Sequence, residues 1–326
     1  MADRAILFLQ LGGPENLQEV PGFLYRLFSD PDVIRVKSAI VRKAIAASIA
    51  LARTRASRKL YASIGGGSPI RRWTETQAAG VETLLRESGR DSVVRAAMNC
   101  SAPLVEDVVR DLAARGVRRF LALPLYPQYS LTTTKGALDR SRSAVRSLAP
   151  GAEFHEIGSW PTHPGFAAAH AEGIRREITR FPDPRPESVH LLYSAHSIPK
   201  KLVTREGDPY PSEVEASIGA INALLGGKSP WSLAYQSKLG PVEWLGPATL
   251  AEIGRLGREK VRQVLAIPIA FVSDHVETLY EIDQLFGEEA HKSGIETFRR
   301  TPGLNDQPTF LAALADIACS QRAFWQ

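Results

Sequence analysis

The sequence predicts an α/β protein of two similar domains, each a parallel sheet flanked by helices. Three observations carry this. Apolar runs of strand length alternate with amphipathic helical stretches, the pattern of parallel strands covered on both faces. An internal repeat relates the two halves: VRRFLALPLYP (117–127) resembles VRQVLAIPIAF (261–271) at an offset of 144 residues, and HPGFAAAHA (163–171) matches QPTFLAALA (307–315) at the same offset. The halves also begin alike, with ILFLQLGGP (6–14) and HLLYSAHSIP (190–199), each an apolar strand that ends near proline. At 326 residues the chain can build two cores of moderate size.

The first strand lies in MADRAILFLQLGG, where Asp3, Arg4, Gly12 and Gly13 fit a strand and its turn better than a signal peptide. PLVEDVVRDLAARG (103–116) reads as an amphipathic helix stopped by Gly116. Each repeat block then gives a buried strand, a functional loop, a second strand and a Pro-initiated helix, with Pro164 and Pro308 in corresponding places. The domains are placed at 1–157 and 158–300. A closing helix within 301–326, equivalent to the helix that opens the second half, is expected to pack on the first domain.

Two cysteines, Cys100 and Cys319, make neither a disulfide framework nor a zinc knuckle and suit a reducing cytoplasm. No apolar run approaches the roughly 20 residues that span a bilayer. The net charge of +5 is uneven: from Asp32 to Glu75 there is no acidic residue between, while ten Lys and Arg fall in that interval. A solvated basic face, an anionic ligand and anionic lipid all fit this run. Nucleic acid is excluded as a partner, because aromatic interleaving is sparse and no nucleic-acid-binding signature appears.

Ligands of such sheets bind beyond the carboxyl ends of the strands. Three loops qualify: SAHSIP with His196, YPQYS (126–130) with Tyr126, and SDHVETLYEID (273–283) with Asp274, His275, Glu277, Glu281 and Asp283. The last reads as a helix start capped by Ser273 or Asp274, with Glu277 and Glu281 on one face. Like charges at that spacing repel unless solvent, protons or a cation relieve them. A solvated helix start satisfies this; so does an acidic ladder that accepts protons or passes a hard divalent cation. A serine hydrolase is unsupported, since no G-x-S-x-G elbow exists. SIGGGSPI (63–70) lacks the lysine of a phosphate loop, although its glycines permit close backbone approach to a ligand.

SAHSIP (194–199), GDPYP (207–211), YQSKLGPVEWLGP (235–247) and PIAFVSDHVETLYEID (268–283), in this order and with SIGGGSPI and YPQYS upstream, closely resemble ferrochelatase. The resemblance runs from LGGPE (11–15) to the final helix. It implies two Rossmann-like domains of chelatase type with a porphyrin cleft between them. It also implies insertion of Fe²⁺, as substrate, into a porphyrin, with no permanently bound cofactor.

Roles follow from the resemblance residue by residue. His196 faces the ring centre as proton acceptor or transient iron ligand, and its ordinary pKa of about 6.5 suits either task. Glu277, the second metal contact, stands with Asp274 on the opposite or flanking wall. Glu281 and Asp283 continue a path for protons or metal. Arg53, Tyr61 and Ser68 bind propionates; Leu24, Leu27 and Phe28 form an apolar lip; Leu11, Tyr126 and Trp244 line the cleft. Where many relatives carry an Arg-Tyr pair, this chain has Asn99 and Cys100. The cysteines that hold an iron–sulfur cluster in some relatives are missing, so no cluster is expected.

Leu11 stands where coproporphyrin-type relatives commonly carry tyrosine. With the apolar lip, that favours protoporphyrin IX and haem b as product, while Arg26 keeps coproporphyrin III open by offering a partner to a further carboxylate. A cobalt chelatase of the same fold and a non-catalytic haem-binding protein are the other readings. AIVRKAIAASIALAR (39–53) is apolar with cationic positions and too short to span, which suits either a buried domain helix with Arg and Lys at its edge or peripheral contact with an anionic membrane from the cytoplasm. An iron donor or the oxidase of the preceding step would be a protein partner there.

Overall fold

The computed structural model describes residues 3–31, 33–238 and 242–326. Part of YQSKLGPVEWLGP, residues 239–241, therefore lies outside the described residues, as does Asp32. The chain divides into two compact units, Met1–Trp160 with Leu311–Gln326, and Pro161–Phe310.

The first unit holds β1 (Arg4–Gln10), α1 (Val20–Ser29), α2 (Ala39–Ser63), α3 (Ile70–Glu87), β2 (Val93–Met98), α4 (Val105–Ala114), β3 (Arg119–Pro124), α5 (Thr134–Leu148) and β4 (Glu153–Glu156). Its sheet is parallel, in the order β2-β1-β3-β4. Residues 5–10 of β1 are all buried, as expected of a strand covered on both faces. Leu7, Leu9, Phe120 and Ala122 pack with Val109 and Leu112 of α4 and with Leu138 and Val145 of α5.

The second unit holds α6 (Pro164–Ile178), β5 (His190–His196), α7 (Lys200–Glu206), α8 (Tyr210–Leu225), β6 (Trp231–Gln236), α9 (Thr249–Arg258) and β7 (Gln263–Pro268). It also holds a 3-10 turn (Pro186–Ser188), a π-helix (Glu277–Phe286), α10 (Gly287–Lys292) and β8 (Thr297–Arg300). Its sheet, β6-β5-β7-β8, is again parallel and repeats the order of the first. The repeat is carried at full register: β3 and β7, β4 and β8, and the prolines that open α6 and α11 (Pro308–Ser320) are each offset by 144 residues.

α11 begins in the second unit and ends in the first, followed there by α12 (Arg322–Trp325). Arg4 of β1 donates to the carbonyls of Phe324 and Trp325 at 3.1 and 3.3 Å, and Phe324 is fully buried. Among the described residues, no helix is long and apolar enough to cross a membrane.

The glycine loop at 63–70 packs closely on the chain at one residue. Gly65 and Gly66 turn with φ of +103° and +94°, and a Cβ on Gly67 would stand 2.1 Å from the carbonyl oxygen of Glu15. Gly65 and Gly66, by contrast, have no neighbour within 4 Å of where a Cβ would stand.

Candidate active site

The carboxyl edge of the second sheet gathers the ionisable groups. β5 ends on His196, β6 ends on Gln236, and the chain leaving β7 leads through Asp274 into the π-helix. From β5 the chain passes first to β6 on one side and then to β7 on the other, so the site stands at the topological switch point of the sheet.

His196 Nδ1 lies 2.8 Å from Glu277 Oε2. That leaves Nε2 as the ring's other nitrogen, on a side chain that is 39 % exposed. Ser237 Oγ lies 3.0 Å from Glu277 Oε2 and 2.6 Å from Glu281 Oε2. Gln236 Nε2 donates to Glu281 at 3.2 Å, and its amide oxygen accepts from Ser194 at 2.7 Å. Phe271 stands edge-on to both His196 and His275, with ring centroids 6.4 and 4.6 Å away. His275 turns Nδ1 to the carbonyl of Ser273 at 3.0 Å and holds Nε2 3.9 Å from Glu277 Oε1.

The electrostatics separate these groups. Burial disfavours charge on His196, but the carboxylate of Glu277 outweighs it and raises the imidazole pKa. At Glu277 burial would raise the carboxyl, yet the charge and hydrogen bond of His196 prevail and hold it down to about 2. Glu281 goes the other way: burial and then the negative charge of Glu277 push it up to about 7. Burial lowers His275. A carboxylate that makes its imidazole partner more basic thus stands beside a carboxyl pushed up to about 7, a separation that general acid–base work can use.

The structure brings together His196, Glu277 and Glu281, and sets Asp274 and Asp283 apart from them. Asp274 is buried and saturated by Arg300 at 2.7 Å, Asn305 and Thr278 at 2.9 Å each, and the Gly303 amide at 3.3 Å. Asp283 forms a bidentate pair with Arg300 at 2.8 and 2.9 Å. The expected N-cap at Ser273 or Asp274 is also corrected, because the segment continues as a π-helix with Val276 before it and no side-chain cap. Among the described residues, no group of three or more His, Cys, Asp and Glu side chains is arranged to hold a metal ion.

Arg300 and Asn305 carry no signal in the sequence, whereas Ser237 falls with Gln236 and Lys238 at a strand end in YQSKLGPVEWLGP. Ser237 carries the clearest mark of a constrained site, a left-handed backbone with φ of +64° on a residue with a side chain.

In the first unit, Leu24 and Phe28 are only 6 % and 4 % exposed, so the expected open lip is closed there; Leu11 and Leu27 remain partly accessible. Arg53 is exposed, with its guanidinium 5.9 Å from the Phe28 ring centre. Tyr61 is buried edge-on against Phe23. Ser68 Oγ accepts from the Ile70 amide at the start of α3. Tyr126 keeps a buried hydroxyl without a hydrogen-bond partner, and in the second unit the indole N–H of half-buried Trp244 is likewise unpartnered. Around the Asn99–Cys100 departure, Arg140 donates to the Asn99 carbonyl and Arg26 to the Cys100 carbonyl at 2.7 Å.

The ferrochelatase family model matches residues 3–322. The chain belongs to the ferrochelatase family. Its relatives include ferrochelatases of Synechococcus sp. strain JA-3-3Ab, 44 % identical over 97 % of this chain and 93 % of the relative, and of Nostoc punctiforme, 41 % identical over 96 % and 80 %. Among solved structures, SirB from Bacillus subtilis with Fe³⁺ superposes with a TM-score of 0.57 at 10 % identity, covering 98 % of this chain and 96 % of that one. The sirohydrochlorin chelatase SirB with cobalt, from the subspecies spizizenii, gives 0.53 at 10 % identity over 99 % and 95 %. These two share the chelatase fold. Ferrochelatases are metal chelatases of the lyase class that act in haem synthesis, and this chain is one of that enzyme family.

Proposed function

We propose that the enzyme inserts Fe²⁺ into protoporphyrin IX to give protohaem, with release of two protons. The observation that carries this is the line His196–Glu277–Ser237–Glu281, an imidazole made more basic by its carboxylate partner and joined through one hydroxyl to a carboxyl pushed up to about 7. Metallation must strip two pyrrole protons while the ion sheds water. His196 accepts a proton or ligates the ion through Nε2, Glu277 supplies the compensating charge, and Glu281 takes the proton onward or passes the metal. Binding energy from the rest of the porphyrin is available to bend the ring so that its nitrogens are presented.

Protoporphyrin IX is favoured over coproporphyrin III because Leu11 has no polar atom and Leu27 of α1 offers partly accessible apolar surface. Burying a vinyl there is favourable by about 25 cal/mol per Å²; an unpaired propionate would cost several kcal/mol. Arg53, Tyr61 and Ser68 are the proposed propionate contacts, and Leu24, Leu27, Phe28, Tyr126 and Trp244 the apolar ones. Burial of Leu24 and Phe28 requires that they act as support for Leu27 rather than as open surface. Anaerobic Fe²⁺ insertion, followed optically with both porphyrins, tests the reading: protoporphyrin IX should give the larger kcat/KM. Equal failure with both would reduce the protein to a haem binder.

The enzyme is further proposed to work without an iron–sulfur cluster, in the cytoplasm, with peripheral contact to anionic membrane where an iron donor or the preceding oxidase would meet it. Support comes from a groove of about 750 Å³ between α1 and α2, floored by Pro21, Tyr25, Ala47 and Leu51 and edged by Arg55, Arg58 and Lys59. Leu51 and Ile40 on α2 are each 83 % exposed. Apolar surface beside unopposed cations is the chemistry of an anionic bilayer face.

A further inference from the structure

We propose that Arg300 is a positioning residue for metal insertion: its guanidinium fixes the π-helix at two points, so that Glu277 and Glu281 are held on the His196 and Ser237 side while Asp274 and Asp283 are kept from the metal. This rests on His196, Glu277 and Glu281 being the metallation site.

Arg300 ends β8, and its side chain is 8 % exposed. Nε and Nη2 grip both oxygens of Asp283, and Nη1 reaches Asp274 at 2.7 Å and the Thr301 carbonyl at 2.9 Å. Asp274 in turn accepts from Thr278, the second residue of the π-helix. One cation therefore ties β8, the loop after β7 and the π-helix together, and Glu277 and Glu281 lie in sequence between its two anchors.

The anchors also set the helix's orientation. Glu281 bonds Ser237 and Gln236, whereas Asp283, two residues on, bonds Arg300. The two carboxylates thus have separate partners, and a slip of register would exchange them. π-helices are rare and concentrate at functional sites, so this one needs tertiary restraint to hold its register. A bidentate guanidinium–carboxylate pair supplies both strength and direction.

The second effect is electrostatic. Four carboxylates between residues 274 and 283 would offer a divalent cation several places to rest. Arg300 occupies two of them, leaving Glu277 and Glu281 as the acidic pair next to His196. Lysine cannot reproduce this, because a single ammonium lacks the planar fork.

The test compares Arg300→Lys, Asp283→Asn and Glu277→Gln with wild type in anaerobic Fe²⁺ insertion, with protoporphyrin IX affinity measured separately by fluorescence. Arg300→Lys should keep porphyrin affinity while kcat falls roughly 10- to 100-fold and KM for Fe²⁺ rises, the size of effect that a small misplacement produces. Asp283→Asn, which cuts only the more exposed leg, should show the same split in smaller degree. Wild-type kcat in Arg300→Lys overturns the proposal, and so does a parallel loss of porphyrin affinity, which marks a merely structural residue. If Arg300→Lys fails to fold, Asp283→Asn decides, with wild-type kcat as the refuting result. Loss in Glu277→Gln alongside wild-type behaviour of both clamp variants sinks the clamp alone; full turnover in Glu277→Gln sinks the site on which it rests.

Discussion

Glu277 and Glu281 share one hydroxyl: Ser237 Oγ stands 3.0 Å from the first carboxylate and 2.6 Å from the second. A single proton on Ser237 can serve only one of them at a time, and both ionised would repel across it. The arrangement separates their titrations, with Glu277 held down to about 2 and Glu281 pushed up to about 7.

The pH dependence follows with opposite signs. Glu277, depressed in the fold, contributes stability above the ordinary carboxylate pKa and loses it as pH falls toward about 2. Glu281, raised, binds its proton more tightly folded than unfolded, so ionising it costs stability as pH climbs to about 7. Glu281→Gln should therefore gain thermal stability over wild type progressively as pH rises through that value, with little difference at pH near 5. Its kcat profile should lose the wild-type acid limb. A constant stability offset at all pH would show that Glu281 is not the titrating group.

His196→Ala should abolish metal insertion while leaving the fold intact, and Glu277→Gln should lose most activity, each by at least ~100-fold. Rates with near-UV circular dichroism on the same preparations check this. An active His196→Ala enzyme would remove the proposed proton acceptor.

Leu11→Tyr should narrow the gap between protoporphyrin IX and coproporphyrin III, because a hydroxyl then enters the apolar surface. The ratio of kcat/KM for the two porphyrins measures it. A wild-type preference for coproporphyrin III would shift the choice to Arg26 and its neighbours.

Protein purified anaerobically should show no stoichiometric iron–sulfur absorbance, with Cys100 and Cys319 both free thiols. Cys100 is buried and its thiol is pushed up to about 12 by that burial, which disfavours the thiolate a cluster needs. A reproducible cluster spectrum would contradict this.

The enzyme should float with vesicles containing phosphatidylglycerol at low salt and release as salt rises, since exposed charges are screened over roughly a Debye length. Leu51→Ser with Arg55→Ser should weaken flotation and leave turnover unchanged. Absence of binding to neutral and anionic vesicles alike would end the membrane reading.

Much of the fold is legible in the residues. A repeat at constant offset marks the two halves as similar α/β domains, and apolar runs mark their buried strands. His196 and Glu277 are also legible, because they stand at strand ends where buried chain meets loop. The π-helix is not, since the spacing of Glu277 and Glu281 marks a helical face without telling an i+4 from an i+5 hydrogen bond. Nor is the fate of Asp274 and Asp283, which depends on Arg300 and Asn305 reaching them through the tertiary fold. Leu24 and Phe28 look like surface in a short amphipathic run, yet both are buried, and Arg53 of α2 stands over the Phe28 ring.

The path of the chain through its two units sets an order of construction. The second unit is one unbroken stretch, whereas the first takes Leu311–Gln326 from beyond it in the sequence. On the ribosome the sheet bearing His196 is complete in sequence while the earlier sheet still waits for Phe324 to fill its place beside Arg4. The first half therefore completes its full set of contacts only after the second half has been synthesised.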